Sequence, residues 1–170
     1  MSQLKLVSTA LTVAMATLFA TSAFAGSATA NLGVTASVSD NCIIATADVA
    51  FGAYDPIVAN AASPRNGTGT VTITCTTDAS AVLTLGLGAN DNGGTASDPA
   101  RRLSDGTNFL SYTLFSNSNR TTEWGNSAGT GVADLGTGTA SAHTVYGSID
   151  PAQNVPQGSY ADTVVATVTF

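Results

Sequence analysis

Residues 158–170 read GSYADTVVATVTF. From Tyr160 onward one parity carries Tyr160, Val164, Ala166, Val168 and Phe170, with Asp162 near its start. The other parity carries Thr163, Val165, Thr167 and Thr169. A period of two in β-branched residues predicts a strand with one buried face. Most chains fray in polar residues after their last element. Here the pattern runs to an aromatic, so a core strand is expected at the very end of the sequence.

The same rule finds its companions upstream. In GTVTITCT (Gly69–Thr76), Val71, Ile73 and Cys75 fall on one face and Thr70, Thr72, Thr74 and Thr76 on the other. In AVLTLGL (Ala81–Leu87), Leu83, Leu85 and Leu87 share a face, and FLSYTLF (Phe109–Phe115) aligns Leu110, Tyr112 and Leu114. AHTVYGSI (Ala142–Ile149) places Val145, Gly147 and Ile149 together. Between these runs lie NGTG (66–69), NDNGGTASDP (90–99), SDG (104–106) and NVPQG (154–158), all built from turn-forming residues. Short alternating strands joined by such turns, with no helical period, predict an all-β sandwich.

Composition sets further bounds. Lys5, the apolar run Leu6–Ala20 and the small residues of AFA (Ala23–Ala25) have the order of a signal peptide over residues 1–25. That run falls short of the roughly 20 residues a membrane-spanning helix needs. Export is therefore expected, with a mature chain from Gly26 and no membrane insertion after cleavage. The only lysine leaves with the leader. Arg65, Arg101, Arg102 and Arg120 then face ten aspartates and Glu123, a balance without a footprint for nucleic acid. The two cysteines, Cys42 and Cys75, are expected to form one disulfide in an exported chain, the alternative being two buried thiols.

Catalytic chemistry finds little footing. His143 is the only histidine and lies in a strand pattern, where a structural or surface role is expected; Glu123 is the only glutamate. Asp55, Asp98 and Asp150 each precede a proline and read as turn starters. NDNGG (90–94) lacks the alternating ligands of a calcium loop. Asn66-Gly67-Thr68 and Asn119-Arg120-Thr121 match the glycosylation acceptor at chance level. Trp124 reads as a packing residue or loop anchor, with sugar stacking as the alternative. No catalytic residue, cofactor or metal ligand is expected.

ATANLGVTASVSD (Ala28–Asp40) stands apart. Ala30, Leu32, Val34, Ala36 and Val38 alternate with Asn31, Gly33, Thr35, Ser37 and Ser39, directly after the cleavage site. By pattern alone this is an ordinary first strand, paired inside its own domain.

The order of motifs shifts that balance. CIIATADVAFGAYDP (42–56), GTVTITC (69–75), RRLSDGTNFLSYTLF (101–115), EWG (123–125) and VYGSIDPAQNVPQGSYADTVVATVTF (145–170) follow one another along nearly the whole mature chain. In this order they resemble the spore coat protein U domain family, whose members include pilin subunits of archaic chaperone–usher fimbriae. The resemblance implies an incomplete immunoglobulin-like sandwich, completed by a donor strand from a neighbouring subunit. It implies a signal peptide over residues 1–25, a donor-strand extension over 26–41 and a pilin domain over 42–170. Ala30, Leu32, Val34, Ala36 and Val38 would form the donor. Tyr160, Val164, Ala166, Val168 and Phe170 would line the groove that accepts it or the chaperone. A Cys42–Cys75 disulfide would tie the first strand of the body to its neighbour. The implied partners are a periplasmic chaperone, an outer-membrane usher and identical or related pilin subunits in a head-to-tail polymer. The implied place is a fimbria on the cell surface serving adhesion and biofilm formation. The rival expectation is a self-contained secreted coat or binding module whose first strand pairs within its own copy.

Overall fold

The computed structural model describes residues 25–170, so the predicted leader lies outside the described residues but for Ala25. The chain divides into two units, one ending at Ala36 and the other spanning Ser37–Phe170. In the first, Ala25–Ala36 has no regular secondary structure and its side chains are exposed. The second is all-β apart from a single 3₁₀ turn at Ala128–Thr130.

Its strands are β1 (Cys42–Ala50), β2 (Arg65–Cys75), β3 (Ser80–Leu85), β4 (Arg102–Ser104), β5 (Phe109–Phe115), β6 (Val132–Leu135), β7 (Ala140–Ile149) and β8 (Ala166–Thr169). They form an antiparallel five-stranded sheet in the order β1-β2-β7-β5-β4 and an antiparallel three-stranded sheet in the order β6-β3-β8. The alternation read from the sequence is the cause. Val71, Ile73 and Cys75 of β2, Leu83 and Leu85 of β3, Leu110, Tyr112 and Leu114 of β5, and Val145 and Ile149 of β7 are all buried. Their threonine and serine neighbours turn outward because side chains on a strand alternate faces. Each large apolar side chain so buried contributes about 1.5–3 kcal/mol. Leu87, grouped with Leu83 and Leu85 by parity, lies beyond the end of β3 and is half-buried.

β1 lies opposite β2 in direct register from Cys42↔Cys75 to Ala47↔Thr70, then bulges before Ala50↔Thr68. At its start the Cys42–Cys75 disulfide closes, with the two Cα atoms 4.1 Å apart. Constraining a loop of this length stabilises by roughly 3–4 kcal/mol in the chain-entropy picture. The bulge redirects the strand, so that Val49 and Phe51 lie over the inner face of the sheet. Glycines make room for them: a Cβ on Gly147 would stand 2.7 Å from the Phe51 ring, and one on Gly69 would stand 2.7 Å from Val49.

The motif residues Arg101, Glu123 and Trp124 tie the two sheets together. Arg101, 1% exposed, donates to the carbonyls of Gly86 (2.8 Å), Leu85 (2.8 Å) and Trp124 (2.9 Å). Trp124 donates its ring N–H to Leu83 O (2.9 Å) and its backbone N–H to Leu114 O (2.8 Å). Arg101 lies 3.7 Å from Glu123. Burial pushes the Glu123 carboxyl up and the Arg101 charge opposes that shift. His143 on β7 bonds Asp134 on β6 at 2.6 Å, a second link between the sheets.

Gly147→Ala places a methyl against the Phe51 ring. Chemical denaturation is expected to show a loss of about 1–3 kcal/mol, the cost of an overpacked core site. Gly129→Ala, with open space around its Cβ, is expected to lose less than about 1 kcal/mol.

Candidate functional site: a cleft between two unpaired strand edges

β1 has a partner on one side only, β2, and β8 has a partner on one side only, β3. Between these two edges opens a cleft of about 1130 Å³. One wall is Thr46–Ile57, the strand end and the loop after it; the other is Asn154–Ala166. Its floor is the core itself, including Val71, Leu85, Leu110, Leu114 and Ile149. The cleft exceeds the roughly 300–1,000 Å³ of small-molecule pockets, which are usually enclosed and carry a few converging polar groups. Here the boundaries include the open edge of β1 at Thr46–Ala50 and the start of β8 at Ala166, whose free N–H and C=O groups are a template for another strand.

Pairing register shows how incomplete the covering is. Ile44 faces the same side as Ile73, its cross-strand partner. Yet Ile73 is 2% exposed and Ile44 is 38% exposed. The difference is the layer missing above β1.

Of the predicted groove residues, Tyr160, Val164 and Ala166 line the cleft. Val168 shares their parity, packs against the core and pairs with Leu83, outside the cleft lining. Phe170 follows the end of β8 and is 52% exposed. The regular ladder starts at Ala166 and not near Tyr160, because residues 161–165 make other bonds. Ala161 bridges to Ser104, and Asp162 accepts from the Tyr112 hydroxyl (2.7 Å), the Asn90 backbone N–H (3.2 Å) and the Asn90 amide (3.1 Å). Burial, reinforced by Asp162, pushes the Tyr112 hydroxyl up, so it stays a donor at any ordinary pH. Asp162 thus fixes the path of the segment that forms one wall. Among the predicted donor residues, Leu32 is 88% exposed, Val34 85% and Val38 89%; Ala30 and Ala36 are exposed as well.

The opposite wall was not assigned from the sequence. Val49, Phe51 and Tyr54 line it and pack against the core. Phe51 meets Tyr112 edge-on at 5.9 Å. The Tyr54 hydroxyl donates to Asp150 O (2.8 Å) and accepts from Gln153 N–H (2.9 Å), joining the two walls' loops. The signal was present in the Phe-Gly-x-Tyr of the first body motif, whose two aromatics both point at the groove. Among the described residues there is no cluster of metal-binding side chains and no helix long and apolar enough to cross a membrane.

Next to Tyr160 of the cleft wall, the Ser104–Asn108 turn holds Asp105. Asp105 accepts from the N–H groups of Asn108 (2.7 Å) and Thr107 (2.9 Å) and from the Asn108 amide (3.0 Å). These bonds, the Asn108 backbone first, pull its carboxyl down to about 2. A depressed carboxylate contributes stability that is present above the unfolded value near 3.8 and lost as pH falls through the folded one. Asp105→Asn is expected to flatten the acid limb of the stability profile between about pH 4 and 2, measured by urea midpoints at successive pH values. An unchanged limb would remove Asp105 from the acid response.

Comparison with known proteins matches residues 28–167 to the Spore Coat Protein U domain. Protein U of Myxococcus xanthus is 42% identical over 179 residues, an alignment covering all of both chains. Among solved structures, the chaperone–tip adhesion subunit pre-assembly complex CsuC–CsuE, from the archaic chaperone-usher Csu pili of Acinetobacter baumannii, aligns with a TM-score of 0.58 at 23% identity. That alignment covers 78% of this chain and 40% of the matched one. The likeness is one of fold.

Proposed function

The chain belongs to the Spore Coat Protein U domain family, and from that membership and the open cleft we propose that it is a structural subunit of a surface pilus, assembled by strand exchange between copies. The observation that carries the reading is the cleft: a sandwich core reached from solvent between two strand edges that lack partners. Such a core is completed by adding a strand, whose backbone pairs with the free edges while alternate side chains fill the floor. The segment with that pattern is Ala30, Leu32, Val34, Ala36 and Val38. Leu32, Val34 and Val38 would each contribute about 1.5–3 kcal/mol on burial. Each new backbone hydrogen bond would add about 0.5–1.5 kcal/mol net. The contact is head-to-tail and does not close on itself, so it propagates a filament.

Before assembly the same cleft, with Tyr160, Val164 and Ala166 on one wall and Val49, Phe51 and Tyr54 on the other, is the surface a periplasmic chaperone would cover. An outer-membrane usher would then exchange chaperone for subunit. The likeness to the Csu complex, in which a chaperone and a tip adhesion subunit occur together, supports this order of events. In this reading the protein passes through the periplasm to the cell surface and serves adhesion and biofilm formation. The family's description as a Spore Coat Protein U domain favours one second reading, a self-contained coat module whose leader completes its own sandwich.

Truncation separates the two. Mature protein lacking Gly26–Asp40 is expected to be unstable alone and rescued by a synthetic peptide of that segment, with thermal melts as the readout. A chain carrying the segment fused after Phe170 is expected to be a stable monomer. A full mature chain that is already a stable monomer and ignores the peptide would establish the self-contained module instead. Val34→Asp is expected to abolish polymerisation while leaving chaperone capture intact, because capture uses the cleft and not the donor. Loss of both in a pull-down would contradict that division of roles.

A further inference from the structure

The loop after β1 carries an apolar knuckle. Ile57 is 67% exposed and Val58 78% exposed, and neither is loosely held. Asp55 accepts the N–H groups of Ile57 (2.9 Å) and Val58 (3.1 Å) on one carboxylate oxygen. Asn60, 6% exposed, closes the turn. Its N–H donates to Asp55 O (2.7 Å), its side chain accepts from Asp55 N–H (3.2 Å) and donates to Ser63 O (3.1 Å), and its carbonyl accepts from Ala152 N–H (2.9 Å). A turn with its polar groups satisfied internally therefore presents two branched side chains to solvent.

From the donor-strand reading, on which this step rests, we infer that Ile57 and Val58 dock against the body of the next copy of this chain, forming a second joint between successive subunits. Chain length places that body. Val38, the last donor position, is four peptide steps from Cys42, where the disulfide fixes the body. At about 3.3–3.6 Å per residue the link spans at most about 14 Å. The donating body must lie against one end of the cleft. One end is bounded by Thr46 and Ala166, the other by Ile57, Pro156 and Gln157.

Topology chooses between the ends. Every body sends out its own leader from the Cys42 end of β1, which is the Thr46 end of the cleft. Were the incoming body also seated there, two copies would meet with like ends together. That single end would then have to hold both the outgoing leader and the incoming body, and a third copy could not be added in the same way. An unbounded polymer requires Val38 at the Ile57 end, the donor running antiparallel to β8. The knuckle of one copy then faces the Cys42 end of the next.

That end carries apolar side chains of its own. Ile43 is 65% exposed and Leu135 is 54% exposed. Both sit at the end of the body where Cys42 and Cys75 meet, Ile43 opposite Thr74 on the outer face of the five-stranded sheet and Leu135 opposite Ser80 on the outer face of the three-stranded sheet, so the knuckle meets one or the other. A contact of so few side chains is too small to join free proteins, since stable interfaces bury roughly 1,200 Å² or more. Tethered by the donor strand, it operates at an effective concentration of about millimolar or more and fixes the angle between neighbours.

The test uses the mature chain and a peptide of residues 26–41. Val58→Asp is expected to take the peptide with the same thermal shift as wild type, yet to give filaments that bend more sharply under electron microscopy. Those filaments are expected to dissociate about tenfold faster, the factor that corresponds to losing one apolar contact. Adding Leu135→Arg or Ile43→Arg to Val58→Asp should restore stiffness and lifetime. Wild-type filament properties in Val58→Asp, with peptide binding intact, would overturn the second joint and leave the donor-strand reading standing. Failure of both arginine variants to restore would overturn the assigned partner surface. Loss of peptide binding in Val58→Asp would place Val58 in the groove and overturn the inference. A wild-type chain that ignores the peptide would remove the donor-strand reading, and this one with it.

Discussion

Everything in this molecule depends on a core that one layer of strand fails to cover. Ile44 and Ile73 are opposite each other and face the same side, yet only Ile73 is sealed from water. Exposed apolar surface next to unpaired backbone is a double liability. The apolar part is worth about 25 cal/mol for each Å² returned to cover, and the free edge offers hydrogen bonds to any passing strand. A strand that alternates apolar and polar residues relieves both at once.

An open core must still hold its shape, and three devices keep the walls in place without the missing strand. The Cys42–Cys75 disulfide pins the start of β1, a strand with nothing on its outer side. Arg101 donates to the carbonyls of Leu85, Gly86 and Trp124, and Trp124 in turn donates to Leu83 of β3 and Leu114 of β5, which holds those two strands together. Asp162 collects three donors and sets the course of residues 161–165 along the opposite wall. The Tyr112–Asp162 bond joins two residues of the cleft lining, and the open edge of β1 along Thr46–Ala50 stays free for an added strand.

The strands legible in the sequence were those buried on one face along their whole length, because only there does water select an alternating pattern. GTVTITCT, FLSYTLF and AHTVYGSI are of that kind, and their inner residues are the core. β1 reads CIIATADVA and was recognised only through the resemblance. It lacks a clear period because its inner face is half uncovered and its second half bulges. β6, VADL, puts an acid where alternation calls for an apolar residue, since Asp134 faces His143 and not the core. The cleft was half legible for a related reason. Its β8 wall alternates, whereas its β1 wall is made by aromatics on a bulge and loop, whose placement depends on distant glycines, Gly69 and Gly147.

Charge explains how copies with open cores could stay apart until they meet correctly. Each of the four arginines donates to a backbone carbonyl: Arg65 to Phe51, Arg101 to Gly86, Arg102 to Asn90 and Arg120 to Gly147. Arg101 is buried and the other three are half-buried, while the more numerous aspartates, such as Asp48, Asp55, Asp78 and Asp105, stand exposed. The surface that copies present to one another is therefore acidic. Repulsion between such bodies reaches about 8–10 Å at physiological salt, far enough to oppose face-to-face association of two open clefts. Residues 28–39 carry no charge at all. A neutral strand adds no repulsion of its own at the open edges, so the segment can approach them more readily than the acidic body to which it is joined.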